Sequence, residues 1–231
     1  MHLYGLIIGV CLTILINYFY KHNSIIPTKQ LDKFTFFLLF FAVIGARLYH
    51  VFDYHQYYLQ HPLQIFNLPA GGLGIFGAIL FGLSYIFIYS QHNHLNFIKI
   101  LDQFTPVLPL SQSIGRWANL INQEGWGSQT NSFLGQLFLP KGFHPTWFYE
   151  SILNLFLFIY IYFQQKSKSK TSPTIIYLFN YGLIRFVVEF FRTDTWQIHS
   201  LKIGQLLSLL FILTSLFLIK SSKKLKTKPQ D

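Results

Sequence analysis

Between Ser111 and Gly127 the chain reads SQSIGRWANLINQEGWG. Arg116 stands there in an otherwise apolar segment, and Asn119, Asn122 and Glu124 follow it at once. An arginine at membrane depth costs ~2.5–3.5 kcal/mol and so requires a partner or a water-filled cavity. The alternative is a side chain that snorkels to the nearby interface. A second constellation, YGLIRFVVEFFR, sets Tyr181, Arg185, Glu189 and Arg192 at spacings of 4, 4 and 3. Those spacings bring all four side chains to one helical face. A self-neutralising Arg185–Glu189 pair is the simpler account, but it leaves Tyr181 and Arg192 on the same stripe unexplained. All four arginines of the chain (Arg47, Arg116, Arg185, Arg192) lie within or at the end of apolar segments. Arginine is preferred where a phosphate or carboxylate must be held by a planar fork of donors. The pattern therefore points to an anion-binding cavity.

Two acids bear on that cavity. Asp102 lies fourteen residues before Arg116, close to four helical turns, so the two can share a face. Pro106 and Pro109 intervene and loosen that relation, and a structural counter-charge is the other role open to Asp102. Glu150 follows His144-Pro145-Thr146 and Tyr149 at the start of an apolar segment, where an acid implies a polar interior or partial exposure at the interface. The nine histidines are scattered, mostly in loops, and form no cluster with metal-ligand spacing, so neither a metal nor a cofactor is expected.

The elements that position these residues are membrane helices. Of 231 residues, 52% are hydrophobic and 11% charged, against about 25% charged in soluble domains. Seven apolar segments, at about 3–20, 34–53, 72–90, 97–117, 145–163, 174–192 and 203–219, are each near the ~20 residues of a helical span. The expected fold is an all-α membrane protein, a polytopic bundle of about seven transmembrane helices with a small external loop region at 120–144. One domain is expected over 1–220, followed by a basic cytoplasmic tail at 221–231. The glycines of the third segment suit close approach of another backbone or a lipid. Cys11, the single cysteine, is expected to be structural, and no cleaved signal peptide is expected.

The net charge of +10 raises the question of nucleic acid, but the lysines argue otherwise. Lys21, Lys29, Lys33, Lys99, Lys166, Lys168, Lys170, Lys220, Lys223, Lys224, Lys226 and Lys228 fall on one side of seven alternating spans. Lys141 and Lys202 are the only lysines on the other. The positive-inside rule then puts the N-terminus outside and the C-terminus in the cytoplasm. The expected partner of the positive charge is the lipid bilayer, and no nucleic acid.

Several motifs, in order, resemble the bacterial prolipoprotein diacylglyceryl transferases. They are Tyr4-Gly5-Leu6, Gly45-Ala46-Arg47-Leu48, Gly71-Gly72-Leu73 and Asp102 with Pro106. The run from Gly115 to Glu124 then resembles the signature G-R-x-G-N-F-x-N-x-E, with Ala118 in place of its second glycine. His144-Pro145-Thr146 with Tyr149-Glu150, the stripe from Tyr181 to Arg192, and Gly204-Gln205 with Ser208 complete the set. Phe76 departs from the pattern, standing where many members have histidine, a candidate proton acceptor.

The resemblance implies transfer of the diacylglyceryl group of phosphatidylglycerol to the lipobox cysteine of a prolipoprotein signal peptide, in a bacterial cytoplasmic membrane. A thioether forms and glycerol phosphate leaves. It implies catalytic roles for Arg116, Arg185, Glu189 and Tyr4. Arg116 and Arg185 would neutralise the phosphate, and Glu189, Tyr4 or water would help take the thiol proton. Asn119, Asn122, Glu124, Arg47, Asp102, Tyr181 and Arg192 would shape the phosphatidylglycerol site. The substitution at Phe76 motivates one alternative, a homologue that binds lipid or signal peptide without catalysis. Intramembrane arginines alone would also suit a small-anion transporter, but the two halves show no repeat.

Overall fold

The computed structural model describes residues 2–138, 140–167, 171–193, 195, 197–199 and 201–226. In chain order the elements are α1 (His2–His22), α2 (Thr28–Asp53), α3 (His55–Gln60) and two short 3₁₀ turns, Pro62–Phe66 and Leu68–Ala70. They continue with α4 (Ile75–His92), α5 (Phe97–Leu101), α6 (Leu108–Asn122), β1 (Trp126–Gln129), α7 (Phe133–Leu137) and β2 (Phe143–Pro145). The chain then runs through α8 (Thr146–Lys166), α9 (Pro173–Phe191), β3 (Gln197–Ile198), β4 (Leu201–Lys202) and α10 (Ile203–Lys226).

Helices α1, α2, α4, α8, α9 and α10 are long and apolar enough to cross a membrane. The protein is thus a polytopic all-α membrane protein. The fourth expected segment departs from a single rod. It divides into α5, a run of turns over 102–107, and α6. Two prolines account for the break. A proline N–H is missing and its ring clashes with the preceding turn, so Pro106, in the turns after α5 ends at Leu101, bars a continuous helix, and Pro109 lies in the first turn of the next.

The chain forms two compact units, Met1–Lys21 with Asp102–Asp231, and His22–Leu101. In the first, α8 packs against both α6 and α9, and α9 packs against α10. Small residues permit the α6–α8 approach. Ser113 and Ser151 meet at 3.2 Å, Ser151 Oγ donates to the Ser113 carbonyl, and the Trp117 indole donates to Ser151. Leu157, Ile161, Ile176 and Tyr177 form a core between α8 and α9. Phe19 stacks on Phe104 with ring centres 4.1 Å apart.

In the second unit, α2 and α4 cross closely at Gly45 and Gly77, where a Cβ on Gly77 would overlap the Gly45 carbonyl. That is the close backbone approach for which a glycine-rich membrane helix is suited.

The stretch after α6 is a small folded element. β1 and β2 pair antiparallel, Trp126 with Pro145 and Gln129 with Phe143. β2 runs straight into α8, and Gly127 makes a β-bridge to Arg192 at the end of α9. This ribbon therefore ties the ends of α6, α8 and α9 together.

Candidate functional site

Three helices of the first unit bring four charges into one chain of contacts. Arg116 on α6 places Nε 2.7 Å from Glu150 Oε2 on α8. Arg185 on α9 donates through Nη1 to Glu150 Oε1 and through Nη2 to Glu189 Oε2 at 3.0 Å. The order is Arg116–Glu150–Arg185–Glu189, two cations and two anions in alternation. Glu150 and Glu189 are each 1% exposed, whereas the side chains of Arg116 and Arg185 retain 25% and 17%. Carboxylates buried to that degree are tenable only when paired.

Local structure explains each position. Arg185 and Glu189 meet because they are one turn apart on α9. Glu150 is the fifth residue of α8, whose start is set by the hairpin. Thr146 donates its hydroxyl to the Gly125 carbonyl at 2.6 Å, and the Trp147 amide reaches the same oxygen at 3.3 Å. α6 ends at Gln123, which takes the left-handed conformation at φ 56° and returns its amide to the carbonyls of Asn119 and Leu120. That reversal directs the chain into Gly125 and β1. At the end of α9, Lys202 donates Nζ to the Glu189 carbonyl at 2.7 Å and also reaches the carbonyls of Phe190 and Arg192. A cation on the terminal carbonyls of a helix is a favourable cap. It fixes the turn that carries Glu189.

Tyr181 lies one turn before Arg185 and stacks on Tyr177, with ring centres 5.2 Å apart and planes at 10°. Tyr177 accepts a hydrogen bond from Gln112 Nε2 at 2.7 Å. Arg192 closes α9 through its bridge to Gly127, and its charge acts on Glu150 together with those of Arg116 and Arg185. Asn119 is half-buried beside Gly125, while Asn122 and Glu124 are exposed where the chain leaves α6. No hydrogen bond or ion pair joins these three side chains to the charged cluster among the described residues. The side chain of Tyr4 lies outside the described residues, as do Lys168, Lys170 and Lys228.

Two expected site residues sit elsewhere. Asp102 Oδ1 accepts from the Ser172 hydroxyl at 2.6 Å and the Thr174 amide at 3.0 Å. It caps the N-terminus of α9, at the opposite end of that helix from Glu189. A carboxylate there satisfies orphan amides and the helix dipole, so the structure gives Asp102 its counter-charge role and does not bring it to Arg116. Arg47 belongs to the other unit and is buried. Its guanidinium donates to the backbone carbonyls of Ile65, Gly71, Gly72, Gln64 and Asn67, and lies 5.2 Å from the Tyr58 ring centre. Five carbonyls take the donors that a phosphate would need. Phe76, on α4, is 58% exposed and lies near the Tyr49 ring.

Glu150 joins the two arginines, a role the sequence expectation did not assign to it. Its signal was an acid on a membrane helix whose own next turns offer no cation, which requires a counter-charge from another helix. Lys202 was counted only toward topology. A lysine a few residues beyond a helix end, at the start of the next, is too weak a signal to reveal a cap. No group of histidine, cysteine, aspartate or glutamate suited to a metal occurs among the described residues.

The family model for prolipoprotein diacylglyceryl transferase matches residues 1–220. Among curated relatives, the phosphatidylglycerol–prolipoprotein diacylglyceryl transferase of Clostridium botulinum (strain Loch Maree / Type A3) is 37% identical, covering 94% of this chain and 90% of the relative. That of Streptococcus mutans is 37% identical over 93% of this chain and 86% of its own. That of Finegoldia magna is 34% identical over 79% and 75%.

Proposed function

The chain belongs to the prolipoprotein diacylglyceryl transferase family, and on that premise we propose how its residues conduct the transfer of a diacylglyceryl group from phosphatidylglycerol to a prolipoprotein. The acceptor is the lipobox cysteine of the signal peptide. Its sulfur forms a bond to the glyceryl carbon as that carbon's bond to the phosphate oxygen breaks. Glycerol phosphate leaves with the electron pair, and the thiol proton must be accepted. The observation that carries this reading is the buried alternation of Arg116, Glu150, Arg185 and Glu189 on three helices.

Negative charge builds on the departing phosphate oxygen. Arginines held in a dry site stabilise that charge at no reorganisation cost during reaction. Arg116 and Arg185 supply this field, and Arg192 adds to it. Glu150 holds the two arginines in place and offsets their charge before the lipid arrives. Glu189 has one oxygen on Arg185, and the other, Oε1, is buried without a hydrogen-bond partner among the described residues. That oxygen is our candidate acceptor for the thiol proton. Tyr181 lines the same face, and Asn119, Asn122 and Glu124 border the headgroup site where α6 ends.

We place the N-terminus outside and the C-terminus in the cytoplasm, with α5 and α6 together making one interrupted crossing. We retain one transferase domain over 1–220 and a basic tail over 221–231. Complementation of a transferase-depleted bacterium, read by gel shift of a lipoprotein, tests the residue roles. Arg116→Ala and Arg185→Ala are expected to abolish modification. Full activity in either variant would sink the phosphate-field mechanism.

A further inference from the structure

The charged chain is asymmetric at its two arginines. Arg185 spends both Nη groups on carboxylates, one on Glu150 and one on Glu189. Arg116 spends only Nε, on Glu150 Oε2. Neither of its Nη groups makes a hydrogen bond among the described residues, and its side chain is the more exposed of the two. Both oxygens of Glu150 are engaged, Oε2 by Arg116 and Oε1 by Arg185. The chain thus presents one open pair of donors, at Arg116.

A phosphodiester needs a fork of donors, and the paired Nη groups of Arg116 are such a fork. Arg185 keeps three N–H groups beyond these two, but a phosphate on its Nη pair would have to share both nitrogens with Glu150 and Glu189 or displace one of those carboxylates. Displacing either leaves a nearly fully buried carboxylate short of a partner, which is strongly unfavourable. The groups facing Glu150 reinforce the asymmetry. α8 packs against both α6 and α9, and the Arg192 charge also bears on Glu150, so its carboxylate is held from several sides.

We infer that Glu150 is a positioning residue that divides the work of the two arginines. Arg116 alone donates to the diester phosphate of the donor lipid. Arg185 stays on the carboxylates, neutralising Glu150 and keeping Glu189, the candidate proton acceptor, in place, while Glu150 itself holds Arg116. This assignment rests on the phosphate-field reading above and adds which arginine touches substrate. It makes Arg116 the binding residue for the anionic headgroup and Arg185 a residue that acts through others.

The test is steady-state kinetics of the purified full-length protein in mixed micelles, with phosphatidylglycerol varied against a saturating lipobox peptide. Equilibrium binding of phosphatidylglycerol by the same proteins covers any variant too slow for kinetics. Arg116→Lys keeps the charge but loses the fork. It is expected to raise KM for phosphatidylglycerol, and weaken its binding, about tenfold or more. Arg185→Lys cannot serve two carboxylates. It is expected to lower kcat about tenfold or more while KM and binding stay within about twofold. Glu150→Gln should follow Arg185→Lys in kcat, and Glu150→Asp should recover part of the loss. Equal weakening of lipid binding by Arg116→Lys and Arg185→Lys would overturn the division and leave the phosphate-field reading standing. Wild-type KM, kcat and binding in both lysine variants would likewise overturn the division, whereas full activity of the alanine variants is what would remove the phosphate-field reading itself.

Discussion

Residue chemistry in this protein is governed by which donors and acceptors are already spent. Arg47 and Arg116 are both arginines on membrane helices, and the sequence expectation set both at the phosphatidylglycerol site, Arg116 with a catalytic role as well. Arg47 has its guanidinium filled by five backbone carbonyls, while Arg116 keeps two amino groups open. Arg47 therefore holds the turns between α3 and α4, and Arg116 is the arginine we propose for substrate. Phe76 bears on the proton. Its ring is exposed beside Tyr49 and cannot titrate, so the site must deprotonate the thiol by other means. Phe76→His is accordingly expected to leave transfer within several-fold of wild type or to raise it, read as gel shift of a lipoprotein in the depleted strain. Complete loss would mean that the Phe76 ring is needed as a packing element beside Tyr49. Glu189 carries a further demand on space. A Cβ on Gly204 would run into its carboxylate. Gly204→Ala should therefore cut kcat while the protein still inserts and purifies.

At the scale of elements, caps and close crossings decide where the charges stand. α9 is held at both ends, by Ser172 and Asp102 at the start and Lys202 at the finish. Removing one cap costs ~0.5–2 kcal/mol. Asp102→Ala is expected to lower the thermal midpoint of the purified protein by that measure, with KM for phosphatidylglycerol unchanged. A rise in KM without loss of stability would return Asp102 to the substrate site. In the other unit, α2 and α4 cross with the Gly45 carbonyl against Gly77. Gly77→Leu is expected to destabilise by ~1–3 kcal/mol or more, the cost of overpacking a fitted contact, seen as a lower melting midpoint in detergent.

At the scale of the molecule, six helices are long and apolar enough to span a membrane, and α5 and α6 are two shorter helices between α4 and α8. The break after α5 gives turns over 102–107, from which Asp102 reaches the start of α9. The orientation we propose rests on the lysines. In a Cys11→Ser background, a cysteine at position 131 should react with a membrane-impermeant maleimide on intact spheroplasts. A cysteine at position 222 should react only after permeabilisation. The reverse pattern would invert the assigned orientation.

Much of this was readable from the chain itself. Apolar runs of the right length specify membrane helices, because every backbone polar group must be satisfied within the span. Spacings of three and four residues specify a shared helical face, so the Arg185–Glu189 pair and its neighbours Tyr181 and Arg192 were evident from periodicity alone. The prolines foretold a weak point in the fourth segment. Tertiary structure decided the rest. Arg116 and Glu150 are 34 positions apart, and no local rule says which face of α8 meets α6. Asp102 shares a face with Arg116 only if the intervening helix is continuous, and the break sends it to α9 instead. Arg47 is a candidate ligand for phosphate until the turns beyond α3 fold over it. Local sequence sets the direction of a side chain on its own helix, while its partner is set by how helices pack and where the chain turns between them.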